Sequence, residues 1–171
     1  MKSNKKFLIS LLVALFLVVY QSTLVRLLSM DMVIPDLALI VVSFYAVRHG
    51  MMPGQAMGFA VGLAEDFLSV SPPGFNAMIK TVLGFFSGSL KNKIIFDPVI
   101  FPSVFILIIT VFKGLMACLI NAVFFEPGTY VPVFTRSFLF EIIINSLLAP
   151  PVFHFLKFFR LIPGDIWGNQ K

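Results

Sequence analysis

Four ionisable residues stand inside long apolar stretches of this chain: Asp66, Lys80, Lys113 and Glu141. In hydrocarbon each costs a few kcal/mol unless it finds a partner, and such groups are functional candidates by default. Asp66 closes the run GQAMGFAVGLAED, in which Gly54, Gly58 and Gly62 recur every fourth residue and the aspartate takes the next step. Residues four apart share a helix face. The next apolar segment carries Asn76, Lys80, Gly84 and Gly88 at the same spacing. If the two helices run antiparallel, Gly84 and Gly88 fall beside Gly54 and Gly58. Asp66 and Lys80 then both lie about 6–9 Å inside the same ends of their helices. The spacing predicts an Asp66–Lys80 ion pair, with Asn76 adding a hydrogen bond. Glu65, pointing about 100° away from Asp66, is left to the interface or to another helix. The bare glycine faces predict close helix packing, the main source of association in lipid. They suit a groove for a partner's membrane helix equally well.

A second polar set lies further along. Lys113 and Asn121 stand in the fifth apolar segment, Glu141 and Asn145 in the sixth. Glu141 and Asn145 are one helical step apart on one face, and antiparallel helices bring Lys113 within reach of Asn145 and of Glu141. The four ionisable groups, two of each sign, make either one shared polar cavity or two separate interhelical pairs. Either arrangement can serve function or only hold the bundle together.

Catalysis needs more than this. The two histidines, His49 and His154, have no nucleophile or carboxylate at a recognisable spacing. There is no His-Glu-x-x-His run and no Cys/His cluster for a metal, and the glycines lack the strand–turn–helix context of a phosphate loop. The single cysteine, Cys118, lies in an apolar run, cannot form an internal disulfide, and reads as a core thiol. No catalytic, cofactor or metal site is expected, so the chain is read as a non-enzyme.

The elements that must position these residues follow from composition. Of 171 residues, 58% are hydrophobic and 12% charged, where a soluble domain is about half apolar and a quarter charged. One integral-membrane domain over 1–171 is expected. A span needs about 20 apolar residues, and six candidates appear: 7–25, 34–47, 53–70, 75–90, 100–123 and 137–158. Turn signals HGMMPG, SPPG, FDP and EPGTYVP separate them. With all six crossing, Lys2, Lys5, Lys6, Arg48, Lys91, Lys93, Lys157, Arg160 and Lys171 share one side, and Arg26 and Arg136 the other. Basic residues collect on the cytoplasmic side, so both termini are expected there. The net charge of +5 is thus an orientation signal, and no nucleic-acid partner is expected. The basic, apolar N-terminus is read as a retained first span, because its core is long for a signal peptide. Pro150 and Pro151 are expected to kink or break the sixth helix. The tail VFHFLKFFRLIPGDIW is expected to lie at the interface, with Trp167 at the water boundary.

The order of motifs is similar to a known pattern. PDL at Pro35 precedes the second segment. G-x-x-x-G-F-x-x-G-L-x-x-D follows from Gly54 to Asp66, then SPPGFN from Ser71 and LGFFSG from Leu83. This resembles the rod-shape-determining MreD family of bacterial inner-membrane proteins. Pro35, Asp36, Gly58, Gly62, Asp66 and Gly74 match the family pattern, whereas Glu65 and Lys80 depart from it. The resemblance implies an all-α membrane protein of six transmembrane helices, like the S components of energy-coupling-factor transporters. It implies no enzymatic activity and no cofactor. It implies work beside the bitopic protein MreC in the cell-elongation complex, with MreB, the glycan polymerase and the transpeptidase as indirect partners, and membrane lipid as surroundings. Self-association is compatible with it. The rival reading, a vitamin-binding S-component-like transporter subunit, shares the fold. Such subunits often dock through an A-x-x-x-A pattern in the first helix, and here only Ala14 is present. A lipid-acting membrane enzyme is the third reading, and no residue pattern supports it.

Overall fold

The computed structural model describes residues 2–27, 35–69, 71–91, 100–124 and 135–158, with the α1 side chains described from 7 to 23. Among these residues there are six α-helices and no strand: α1 (Lys2–Leu27), α2 (Leu37–His49), α3 (Met51–Leu68), α4 (Phe75–Ser89), α5 (Ile100–Phe124) and α6 (Arg136–Phe158). Tail residues 159–171, with Trp167, lie outside the described residues, as does the side chain of Arg26.

Apolar side chains cover the outside of the bundle as well as filling its core. Phe16, Met52, Phe67 and Leu147 are each at least 70% exposed, while Asp36, Asp66, Lys80 and Asn145 are buried. A folded chain in water avoids contiguous apolar surface; a chain surrounded by lipid carries it at little cost, while its buried charges still need partners. By length and apolarity alone, α5 and α6 are sufficient to cross a membrane, and 7–23 and α2 are apolar but shorter. At 1.5 Å per residue the 13 residues of α2 reach about 20 Å, against a hydrocarbon core of about 30 Å.

That short helix is the centre of the molecule. Every residue of α2 from Ala38 to Val47 is buried, which explains why the segment is apolar on all sides rather than striped. The other five helices surround it, with α1 against α3, α3 against α4, α4 against α5 and α5 against α6. Among the described residues the ring does not close: no Cα of α1 lies within 8 Å of α6.

Gly50 alone joins α2 to α3. Its φ of +101° is closed to most side chains, and it lets the two helices follow without a loop. Arg48 and His49, expected in a loop, therefore belong to the last turn of α2. The His49 ring stacks on Tyr45, and Lys91 reaches across to donate to the His49 carbonyl at 3.1 Å. Pro53 and Pro102 sit in the first turns of α3 and α5, where a missing N–H costs nothing. Pro150 and Pro151 were expected to kink or break α6; the helix has no break between Arg136 and Phe158. The turn holding them is braced by packing, since Ala149 is fully buried and the Phe153 ring lies 4.7 Å from that of Phe44.

The glycine faces meet each other. α3 and α4 lie backbone to backbone along their whole length. A Cβ at Gly54 would stand 2.5 Å from the Gly84 carbonyl oxygen, one at Gly62 would stand 2.5 Å from that of Asn76, and one at Gly88 would stand 2.5 Å from the Met51 nitrogen. A Cβ at Gly58 would strike the Lys80 carbonyl outright. All five glycines are therefore consumed by internal packing, Gly54 lying against Ala46 of α2 as well. They leave no smooth strip on these faces for a partner's helix.

Candidate functional site

The site begins with a problem in backbone chemistry. A helix leaves its first amides without internal partners, and inside a bilayer no water can satisfy them. The first turn of α2 is buried, so side chains must do so. Asp36 is the N-cap, and its Oδ1 accepts from the Leu39 amide at 2.8 Å. The Asp36 amide donates to Asn145 Oδ1 of α6 at 2.8 Å, and the Leu37 amide donates to Gln21 Oε1 of α1 at 3.1 Å.

The capping carboxylate is charged and buried, so it needs cations. Lys80 of α4 donates to both Asp36 oxygens at 3.2 Å, and Lys113 of α5 donates to Asp36 Oδ2 at 2.7 Å. Each ammonium group has a second acid. Lys80 pairs with Glu65 of α3, and Lys113 donates to Glu141 Oε1 of α6 at 2.7 Å. Asn145 adds longer contacts of 3.5 Å to Thr110 Oγ1 and Glu141 Oε1. The result is one continuous line, Glu65–Lys80–Asp36–Lys113–Glu141, drawing residues from α3, α4, the start of α2, α5 and α6. Three carboxylates face two ammonium groups, so the line carries one acid in excess. Exposure is lowest at Lys80 and Asp36 and higher toward both ends of the line, with Glu65 12% exposed. The Lys80 side chain is 2% exposed, and those of Lys113 and Glu141 are 22% and 19% exposed.

Two expectations are corrected here. Asp66 does not pair with Lys80. It caps α4 from the end of α3: Oδ2 accepts from the amides of Gly74 (2.9 Å) and Ala77 (3.1 Å), and Oδ1 accepts from the Asn76 amide (2.9 Å) and its side-chain Nδ2 (3.0 Å). Four donors at a helix N-terminus, where the dipole favours negative charge, replace the lysine. Gly74 makes this possible by turning the chain with a φ of +92°. Asn76 thus does supply a hydrogen bond to Asp66, with a role in a cap rather than in an ion pair. The second correction concerns partition. The ionisable groups form neither a separate pair in each hairpin nor a set balanced in sign, because Asp36 joins them and Glu65 enters. Lys113 does meet Glu141, while its link to Asn145 runs through their shared partners.

Asp36 stood out in the sequence only through the family pattern, and Gln21 and Thr110 did not stand out at all. The available signal was the aspartate between a proline and an apolar run, an N-cap pattern. Asn121 is half-buried on α5 and takes no part in the network. His154 is exposed on α6, and Cys118 is a half-buried free thiol. Among the described residues, no three His, Cys, Asp or Glu side chains are grouped to hold a metal ion.

The arrangement defines a helical bundle with an apolar exterior, organised around a buried ionic network at the end of a short central helix. It can fix the relative positions of five helices. The family model for rod shape-determining protein MreD matches residues 1–159, and the chain belongs to that family. Neither a curated protein nor a solved structure matched it. Membership places the chain among rod-shape-determining membrane proteins, whose role is structural.

Proposed function

We propose that the chain is a non-catalytic, multi-pass scaffold of the bacterial cytoplasmic membrane. In this reading it supports rod shape and lateral peptidoglycan synthesis by holding an MreC-like bitopic partner through helix–helix contacts. The observation that carries it is the network at Asp36. It ties five helices into one frame, commits the ionic groups to positioning, and leaves an apolar outer surface for lipid and for membrane helices. All six helices cross in this reading, the bundle taking the S-component-like form, with α2 tolerated as a short span because protein surrounds it. The distribution of basic residues favours cytoplasmic termini. Ala14 is fully buried in the core, which speaks against its use as a docking element and so against the vitamin-carrier reading. The experiment is depletion in a rod-shaped host. Cells are expected to round up, and the intact chain to restore rods and to co-purify with an MreC-like protein. Depleted cells that stay rod-shaped and lose uptake of a vitamin would overturn the proposal.

A further inference from the structure

Among the described residues, the ring around α2 is open at a seam between α1 and α6. On α6, Ser146 donates to the Ser103 carbonyl of α5 at 2.8 Å, so that flank of the helix faces α5. At 100° per residue, Glu141, Ile144 and Leu148 fall on the opposite flank of Asn145, toward the seam. All three are half-buried, unlike Leu139, Ile143 and Leu147, which are more than half exposed. The charge of the network is unfinished at two acids: Glu65 Oε1 is buried without a partner, and Glu141 is the one of the two that is partly open on the seam side. Its Oε1 takes Lys113 and Asn145, no donor reaches Oε2 among the described residues, and the network holds one carboxylate more than it has ammonium groups. A partly exposed carboxylate about 7–8 Å inside a membrane helix calls for a cation.

We propose that the α1–α6 seam is the docking site of a single membrane helix from another protein, and that this helix presents an arginine or lysine to Glu141. This rests on the scaffold reading and gives it a location. Charge complementarity selects the occupant: a lipid chain leaves the excess acid uncompensated, and a second copy would bring another Glu141 to the first.

The test uses the purified full chain in vesicles of phosphatidylethanolamine and phosphatidylglycerol, with a photoreactive residue at Leu148 or, as a control, at Ile108 on the exposed face of α5. The probe is a leucine–alanine single-span peptide of roughly 21 residues, with either one arginine or only leucine at the level of Glu141. Cross-linking is expected from position 148 and not 108. The arginine peptide should half-saturate at about one-tenth the concentration of the leucine peptide, a difference within the range of intramembrane polar contacts. Glu141→Gln should erase that preference. Ile144→Trp, which fills the seam without touching the network, should block both peptides. Equal capture of the two peptides, a preference that survives Glu141→Gln, or a second copy of the chain as the main product at position 148 would each overturn the inference. Cell shape separates the two failures: equal capture by a chain that still restores rods sinks the seam alone, and a chain that binds the arginine peptide without restoring rods sinks the scaffold reading.

Discussion

Lys80 is the residue on which the buried charges most depend. It is almost wholly enclosed and serves two acids, Asp36 and Glu65. Lys80→Met would leave three carboxylates facing Lys113 alone. Removing one member of a buried pair costs about 3–5 kcal/mol because the remaining charge stays uncompensated, and a large loss of folded protein in detergent is expected. Glu65→Gln added to Lys80→Met should recover part of that loss, with a coupling of about 1–3 kcal/mol in a double-mutant cycle read by thermal melting. The same cycle on Asp66 and Lys80 should give a clearly smaller coupling, because backbone amides occupy the Asp66 oxygens. Equal couplings would mean that the line of charges is drawn wrongly. The sequence made Lys113 and Glu141 legible as a pair because both stand alone in apolar helices joined by one connection. The hub stayed hidden. Asp36 meets its lysines 44 and 77 positions away, and periodicity carries no information at that range. Asp66 was placed at the correct end of its helix and given the wrong partner, because a lysine at helical spacing is visible in a sequence and an amide cluster is not.

At the scale of the element, the α3–α4 pair shows how steric and electrostatic demands coincide. The glycine that lies on the Lys80 carbonyl is Gly58, so the closeness of the two backbones sets where the lysine side chain starts. Gly58→Ala must move α4 and pull Lys80 away from Asp36. A loss of about 2 kcal/mol or more is expected, comparable to overpacking in a core. Gly74→Ala acts differently: a Cβ there meets nothing within 4 Å, and the penalty is the left-handed backbone, about 1–2 kcal/mol. The first variant should weaken amide exchange protection around the Asp36 end of α2, and the second should weaken it only at the start of α4. Asp66→Ala should resemble the second, at about 1–2 kcal/mol for the lost cap. The glycine spacing predicted this packing correctly because a four-residue period is a local property. The continuity of α6 through Pro150 and Pro151 was not predictable in that way. The prolines remove two donors, and the helix persists on contacts made by Ala149 and Phe153 with distant parts of the chain.

For the whole molecule, the question is which way the frame sits in the bilayer, and its answer depends on α2. If the 13 residues of α2 did not count as a crossing, every segment after it would invert, and Lys91 and Lys157 would face the outside. The six-span proposal requires that α2 does count. α2 is enclosed by protein along its length, so lipid thickness does not limit it. Its buried first turn is satisfied by Gln21, Asn145 and its own Asp36, so the chain gains nothing by returning the way it came. Lys91 lies beside Gly50 at one end of the α3–α4 pair, and Asp66 and Gly74 mark the other. With Cys118→Ser as background, Lys91→Cys and Arg136→Cys should therefore behave oppositely in intact cells. A membrane-impermeant maleimide is expected to block Arg136→Cys from the outside, and Lys91→Cys to react only after permeabilisation. Both positions are exposed on the protein, so a lack of reaction reports sidedness rather than burial. Labelling of both from the outside would exclude the six-span arrangement. It would also remove the electrostatic reason for the network to lie in the outer half of the membrane, where a partner anchored from that side could reach Glu141.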